Sequence, residues 1–217
     1  MMLQGKRILL GVTGGVAAYK AAELSRELQR AGARVQVVMT DAATRFVTPA
    51  TFQALTGEPV FVDQWDARIA NNMAHIELSR AADAILVAPA TADFLAKAAH
   101  GLADDLLTTL CLARECPLLV APAMNRQMWQ HPPDLVDDQQ HRPDGDRAVG
   151  DVERGPVETL PVEQHEVDHL AARDAVDDVA DRAAEDQRQR EREQPLRAVA
   201  RQQPDDEDAR ADAERGE

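Results

Sequence analysis

Two hydrophobic periods alternate along the first 130 residues of this chain. Short apolar runs, typical of strands buried on both faces of a sheet, occupy residues 6–12, 34–39, 84–88 and 117–120. Between them, apolar residues recur every three or four positions, which predicts helices over residues 16–31, 94–100 and 103–113. Strands that alternate with helices predict an α/β fold with a parallel sheet covered by helices on both faces.

Shorter patterns fill the gaps between these elements. Thr40 can cap a short helix that reaches Phe46, and residues 49–57 resemble another short helix ended by a glycine. Residues 60–62 form an apolar triplet that predicts a short edge strand, and residues 63–73 have the composition of a loop.

Each long strand is followed by a small-residue loop that carries a polar group. The first loop, within GVTGGVAAYK at residues 11–20, joins a strand to a helix through glycines, an arrangement that suits an anion. Thr40, Thr91 with Asp93, and Asn125 follow the other strands. Because parallel strands bring such loops to one sheet edge, the pattern predicts a site for a phosphorylated cofactor. Each threonine could instead serve only as a helix cap, and the glycine loop could be a tight turn without a ligand.

Composition divides the chain near residue 132. Residues 1–132 carry 12 Lys and Arg against 12 Asp and Glu, whereas residues 133–217 carry 12 Arg against 26 acidic residues, a net charge of 12 − 26 = −14. All seven aromatic residues precede position 130. We therefore predict a folded domain over residues 1–132, followed by a disordered or loosely helical acidic tail over residues 133–217.

Composition also restricts the classes of partner. An acidic balance argues against nucleic acid, and no apolar run reaches the ~18 residues of a membrane span. The two cysteines, Cys111 and Cys116, match no common metal-binding spacing and suit a reducing cytoplasm, where we expect the protein to reside. The segment HEVDH at residues 165–169 has the H-E-x-x-H form of a zinc site, but Asp168 places a charge where such helices are apolar. We predict no metal.

Five motifs occur in a fixed order: GVTGGVAAYK, MTDAATRFV, HIEL, APATADFLAKAAHGLADDLLTT and PAMNRQMW. Together they closely resemble the flavin-dependent cysteine decarboxylases, and within them the phosphopantothenoylcysteine decarboxylase domain of bacterial coenzyme A biosynthesis flavoproteins. The likeness covers residues 1 to about 132. It implies a Rossmann-like, flavodoxin-like three-layer subunit that binds FMN and assembles into trimer-based homo-oligomers with active sites between subunits.

The resemblance also assigns roles to residues. Those it places at the cofactor are Gly14, Gly15 and Val16 against the flavin, Thr40 at the phosphate, Phe46 lining the site, and Thr91 with Asp93 at the ribityl chain or ring edge. His75 matches the active-site histidine, and Asn125, with Met124 beside it, matches the residue that orients the substrate carboxylate. On residue type alone, His75 could equally be a satisfied core or loop histidine.

The chain departs from this family after residue 132. The family continues with a flap that carries a cysteine in a glycine-rich motif and then with a synthetase domain. No cysteine follows Cys116 in these 217 residues. We hypothesise that a GC-rich gene is read out of frame from about Pro132, the alternative being a natural acidic tail. Two functions stay open: an FMN-dependent decarboxylase of phosphopantothenoylcysteine with partial or lost activity, and a non-catalytic FMN-binding, oligomerising flavoprotein.

Overall fold

The computed structural model describes residues 2–68, 73–130, 157–159, 176–186, 188, 189 and 192. The chain divides into two compact units, Met1–Ala183 and Ala184–Glu217. The first unit holds the sheet and its helices. The second is described only at residues 184–186, 188, 189 and 192, which are helical. The helices of the described part include none that is long and apolar enough to cross a membrane.

The sheet of the first unit is all-parallel, as the apolar runs predict. Its strands lie in the order β2-β1-β3-β4-β5. Their bounds are β1 Arg7–Val12, β2 Arg34–Met39, β3 Ala84–Ala90, β4 Leu118–Pro122 and β5 Val157–Thr159. Strand β3 is buried along its whole length, because it lies in the middle of the sheet with helices on both faces.

Within residues 2–130, six α-helices accompany the sheet in chain order. They are α1 Ala18–Arg30, α2 Pro49–Thr56, α3 Ala74–Ala81, α4 Ala92–His100, α5 Leu106–Ala113 and α6 Arg126–Gln130. A 3-10 turn, Asp41–Arg45, follows β2 and is capped by Thr40, as predicted. Helices α2 and α4 end at Gly57 and Gly101, whose φ angles of 73° and 69° lie in the left-handed region that favours glycine.

The two faces of the sheet pack into two separate hydrophobic clusters. The first cluster joins one face of β1, β2 and β3 to α1 and α2, with Leu28 and Phe52 fully buried. The second cluster joins the other face to α4 and α5, with Phe94 and Leu107 almost fully buried. Along β1, β2 and β4, the apolar residues alternate between the two clusters, since side chains along a strand point to opposite faces. This three-layer arrangement is the fold that the resemblance implied.

The structure differs from the sequence prediction at residues 60–62 and adds elements elsewhere. The predicted strand at residues 60–62 is a single bridge from Phe61 to Val38, and HIEL lies in helix α3. Strand β5 and a helix at residues 176–186 lie within the segment predicted to be a disordered or loosely helical tail. Three side chains of that helix, Val176, Val179 and Ala180, belong to the first cluster, and the loose attachment of the tail as a whole stays a prediction. The boundary at residue 132 and the reading-frame hypothesis stay predictions.

Candidate functional site

Four loops meet at the carboxyl edge of the sheet, because β1 to β4 are parallel and each ends there. Backbone hydrogen bonds tie the loops together. The N–H of Thr40 donates to the carbonyl of Val12 over 3.0 Å, and the N–H of Ala123 donates to the carbonyl of Ala90 over 3.0 Å. The predicted convergence of the four loops is therefore present in the structure.

Thr13 is the joint between the first and third loops. Its hydroxyl donates to the carbonyl of Pro89 over 2.6 Å and accepts a hydrogen bond from the N–H of Thr91 over 3.0 Å. The side chain is only 1% exposed, so both bonds are shielded from water. Because the hydroxyl is satisfied on both sides, Thr13 fixes the distance between the loops and has no free donor for a ligand.

Gly14 and Gly15 are glycines for different reasons. A Cβ on Gly14 would overlap the Cβ of Ala42 and lie 2.9 Å from its carbonyl carbon, so packing against the 3-10 turn excludes a side chain. A Cβ on Gly15 would meet only the Cγ2 of Thr91, at an ordinary 3.7 Å. Packing within the described residues therefore leaves room for a side chain at Gly15, which suits the close approach of a ligand to this backbone.

The beginning of helix α1 is an anion site in its geometry. Ala17 occupies the cap position and provides no side-chain acceptor. Among the described residues, none accepts a hydrogen bond from the N–H groups of Gly14, Val16 or Ala17. Val16 is 77% exposed, so the loop is open on its outer side. Free N–H groups at the positive end of a 13-residue helix attract a phosphate group.

Thr40 and Thr91 both act as helix caps, the alternative that their sequence positions left open. The hydroxyl of Thr40 accepts from the N–H of Ala43 over 3.2 Å, and that of Thr91 accepts from the N–H of Phe94 over 3.3 Å. Accepting a bond uses a lone pair and leaves the O–H hydrogen available. Each hydroxyl can therefore cap its helix and still donate to a bound phosphate or hydroxyl group.

Asp93 lies in the first turn of α4 and forms an ion pair with Lys97 over 3.3 Å. Lys97 also contacts Asp104 at 3.1 Å and Asp105 at 3.8 Å, so one ammonium group meets three carboxylates. These hydrogen bonds, led by that to Asp104, raise the pKa of Lys97 and keep it charged. The Asp93 side chain is 75% exposed, and its carboxylate remains accessible to a ligand.

Asn125 begins helix α6 at the end of the β4 loop. Its Oδ1 accepts a hydrogen bond from the N–H of Met128 over 2.8 Å, which caps the helix and orients the amide. The Nδ2 group then remains as a double donor suited to a carboxylate. Met124 precedes it and is half-buried. Together they form an exposed donor beside an apolar side chain, at the edge shared by the other loops.

His75 and Phe46 stand apart from this network of contacts. His75 is half-buried as the second residue of α3, the helix whose Ala74 packs in the second cluster. Phe46 follows the 3-10 turn and is 51% exposed. Within the described part of the chain, no hydrogen bond links His75 to the four loops. Within the described residues, the chain thus brings together the predicted glycines, threonines and Asn125, but shows no hydrogen bond from them to His75.

Two residues of the site were missed as contributors by sequence reasoning. Lys97 lies four positions after Asp93, a spacing that predicts an ion pair on a helix and was the available signal. Thr13 carries no comparable signal, because its partners Pro89 and Thr91 are 76 and 78 positions away. Among the described residues, no group of three or more metal-ligating side chains is present. The HEVDH segment at residues 165–169 lies outside the described residues.

Comparison with curated proteins finds relatives that match about 130 residues of this chain. The chain is 55% identical over 129 residues to the coenzyme A biosynthesis bifunctional protein CoaBC of Vibrio vulnificus, a match that covers 59% of this chain and 32% of that protein. It is 51% identical over 130 residues to the CoaBC protein of Escherichia coli, covering 60% of this chain and 32% of that protein. The chain thus spans about a third of the length of the curated relatives it matches.

Solved structures with similar folds carry related names. The FMN-dependent cysteine decarboxylase SpaF has a TM-score of 0.57 and 39% identity, covering 60% of this chain and 75% of SpaF. A PPC decarboxylase mutant complexed with pantothenoylaminoethenethiol has a TM-score of 0.52 and 36% identity, covering 58% of this chain and 71% of that protein. A family model described as Flavoprotein matches residues 1–150, more than half of the 217-residue sequence, and the chain therefore belongs to the flavoprotein family.

Proposed function

We propose that this chain binds FMN and catalyses the FMN-dependent decarboxylation of 4'-phosphopantothenoylcysteine, a step toward 4'-phosphopantetheine in coenzyme A biosynthesis. The observation that carries the proposal is the open, uncapped beginning of α1 beside Gly15, at an edge where three further polar loops meet. The names of the relatives support this assignment, since they describe coenzyme A biosynthesis proteins and FMN-dependent cysteine decarboxylases.

The residues at this edge fit the chemistry of FMN. The free N–H groups of Gly14 and Val16 and the hydroxyl of Thr40 would hold the phosphate, which carries negative charge. Thr91 and Asp93 offer a hydroxyl and an accessible carboxylate for the ribityl hydroxyls. Phe46 and Val16 are exposed apolar side chains that would lie against the flavin ring.

In the proposed reaction the chain positions the substrate and moves its protons. Bound FMN supplies the two-electron oxidation of the cysteinyl end that allows CO₂ to leave. Asn125 donates from Nδ2 to the substrate carboxylate, and a neutral amide holds this group without a salt bridge that would oppose its loss. Met124 borders the same position. His75 serves as base or proton relay, since an imidazole nitrogen can accept a proton and pass it on.

The position of His75 favours a site completed by a second copy of the chain. His75 lies on α3 and makes no described hydrogen bond with the four loops, so we infer that it reaches the site of a neighbouring subunit in a trimer-based homo-oligomer. Exposed apolar side chains on the loops and helices at the carboxyl edge offer a surface for this contact; they are Val16, Tyr19, Phe46, Met128 and Trp129. We also propose that the protein resides in the cytoplasm, on the basis of the biosynthetic pathway proposed above.

A second candidate is a non-catalytic flavoprotein that binds FMN and oligomerises. The sequence feature that favours it is the lack of any cysteine after Cys116 in the 217 residues. The flap cysteine of the resembling family returns a proton late in the reaction. The first candidate therefore predicts partial activity: release of CO₂ without formation of phosphopantetheine.

The two candidates are separated by supplying substrate to the purified full-length chain. We expect a yellow protein whose flavin absorbance survives gel filtration and which releases CO₂ from phosphopantothenoylcysteine. Asn125→Ala should abolish CO₂ release while the absorbance of bound flavin is kept. A yellow protein that releases no CO₂ supports the second candidate, and a folded but colourless protein that does not take up added FMN contradicts both.

The assembly is tested separately by sedimentation. We expect a mass of three chains or a multiple of three. Mixing His75→Ala with Asn125→Ala subunits should restore CO₂ release, because a shared site can then draw one intact residue from each subunit. A monomer that is fully active would overturn the inference about the neighbouring subunit.

A further inference from the structure

The helix at residues 176–186 has one apolar face. Val176, Val179, Ala180 and Ala183 follow the spacing i, i+3, i+4, i+7 that defines one side of an α-helix. Their exposed fractions are 6%, 0%, 6% and 2%, whereas the intervening Asp177, Asp178 and Asp181 are exposed. The acidic composition of this region therefore belongs to the outer face of the helix, and its apolar face is inside the protein.

Three of the four buried side chains, Val176, Val179 and Ala180, belong to the first hydrophobic cluster of the sheet. That cluster also contains Leu86 of β3 and Leu119 of β4, and α1 packs against β1, β2 and β3 while α2 packs against β2. The helix is thus an additional element on this face, and it begins 26 residues beyond the end of the family match at residue 150. A sheet face that keeps Leu119 buried needs such a cover.

We propose that the face of the sheet formed by β3 and β4 is the docking surface for residues 176–183 of the same chain, and that this helix is an integral part of the flavoprotein domain. The folded domain therefore extends into the acidic region. The proposal concerns this chain's own architecture and is independent of FMN binding, of catalysis and of the reading-frame origin of the segment.

The chemistry of the helix face suits this surface. Ala180 is small, so the helix axis can approach the sheet closely, while Val176 and Val179 pack among the side chains of the cluster. The carboxylates stay in water and require no partner. Strand β5 supports the same placement, because its backbone pairs in parallel with β4 at Leu118, Leu119 and Val120. Two elements from the acidic region thus stabilise the side of the sheet at β4.

Adjacent alanines provide a matched test in the full-length chain. Ala183 is buried and Ala184 is exposed, so Ala183→Glu and Ala184→Glu make the same chemical change in the same helix. We expect Ala183→Glu to lower the melting temperature by about 5–10 °C, since a carboxylate would be buried without a partner, and Ala184→Glu to leave it within about 1 °C of the parent. Equal melting temperatures for both variants and the parent would overturn the proposal.

A second variant decides the matter if Ala183→Glu does not fold. Val179→Ala removes two buried methyl groups without adding charge, and we expect a melting temperature about 2–5 °C below the parent. Amide hydrogen exchange gives a direct readout in the parent chain. The amides of residues 180–183 should exchange at least about 100-fold more slowly than in an unstructured peptide. Exchange at the unstructured rate, or a Val179→Ala variant as stable as the parent, would show that the helix does not dock.

Discussion

Three adjacent residues of the β1 loop have different roles because each has different neighbours in space. Thr13 joins two loops through its buried hydroxyl, Gly14 lets the loop touch Ala42, and Gly15 leaves its outer side open. Only the last of these features concerns a ligand. The two glycines are alike in the sequence, but their surroundings predict different results when each is changed to alanine.

Alanine at Gly14 should destabilise the fold, whereas alanine at Gly15 should spare it and weaken cofactor binding. The new Cβ at Gly14 would overlap Ala42, and the loop must shift at a cost of about 1–3 kcal/mol in the free energy of unfolding. Gly15→Ala should change that free energy by less than about 0.5 kcal/mol and weaken FMN binding at least about tenfold. Urea unfolding and FMN titration measure the two quantities. Equal FMN affinity in Gly15→Ala and the parent would contradict the proposed ligand contact.

Lys97 forms ion pairs with three carboxylates, and its contribution to the free energy of unfolding therefore falls at high pH. Its pKa is raised in the folded state, chiefly by its hydrogen bond to Asp104, from an ordinary value of 10.5. Its stabilising contribution is therefore fully present below about pH 10.5 and is lost as the pH rises through the raised folded-state pKa. Lys97→Met should lower the free energy of unfolding by about 1 kcal/mol at pH 7, as expected for a small ion-pair network.

The same comparison above pH 11 provides the control. The difference between Lys97→Met and the parent should shrink there, because the parent ammonium loses its proton. Lys97→Arg should resemble the parent at pH 7 and keep its advantage at high pH, since a guanidinium stays charged. A difference between Lys97→Met and the parent that is independent of pH would show that packing of the lysine stem, rather than its charge, accounts for the effect.

At the scale of elements, helix α5 depends on a reciprocal cap. The carboxylate of Asp105 accepts from the N–H of Thr108 over 2.8 Å, and the hydroxyl of Thr108 accepts from the N–H of Asp105 over 3.3 Å. The helix has only eight residues and supplies Leu107 to the second cluster. A helix this short forms through its cap and its packing more than through propensity.

Removing the Asp105 cap should lower the free energy of unfolding more than removing the charge of Asp105 alone. Asp105→Ala should lower the free energy of unfolding by about 1–2 kcal/mol, since a buried helix end loses an acceptor for the Thr108 N–H. Asp105→Asn keeps a capping oxygen while losing the ion pair with Lys97, and should cost less than about 0.5 kcal/mol. Chemical denaturation of both variants makes the comparison. Equal losses would assign the role of Asp105 to its charge.

Sequence reasoning succeeded for elements whose pattern is local and strong. Strand β2 occupies the predicted residues 34–39, and α1 lies within the predicted range 16–31. Strand β5 has three residues, and its existence depends on pairing with β4, which no local pattern reports. The helix at residues 176–186 lies in a segment predicted to be disordered or loosely helical, and the burial of its apolar positions depends on contacts with the sheet that no local pattern reports.

The candidate site could be predicted as a set of loops but not as a set of contacts. Parallel topology brings Thr40, Thr91 and Asn125 to one edge, and that much follows from strand order. Which hydroxyls also cap helices, and how Lys97 holds Asp93, depends on side-chain geometry within a few ångströms. The roles that the family resemblance gave to the site residues, His75 and Phe46 included, stay predictions, since each rests on a bound molecule or a second subunit.

At the scale of the whole molecule, the second cluster encloses both cysteines. Cys111 and Cys116 are not joined in a disulfide, and both are buried in this cluster with residues of β3 and β4. Burial raises the pKa of Cys111 to about 12. A raised thiol pKa stabilises the fold below the ordinary value of 9.0, and this contribution is lost as the pH rises toward 12.

Thiol modification should therefore report on opening of this cluster. At pH 8 we expect neither cysteine of the native protein to react with an aromatic disulfide reagent within minutes, and both to react at once in concentrated urea. The reaction rate should rise with denaturant in parallel with loss of the circular dichroism signal. Rapid native reaction of Cys111 would show that α5 opens locally while the rest of the sheet remains intact.

The uncapped beginning of α1 makes ligand binding and folding one linked equilibrium. A phosphate that accepts from the N–H groups of Gly14, Val16 and Ala17 would complete the helix end that the chain itself leaves without an acceptor. Such a ligand acts as a part of the fold supplied from solution, and at one hundred times its dissociation constant it adds about 2.7 kcal/mol to the free energy of unfolding. The supply of cofactor would then set how much of this chain is folded in the cell.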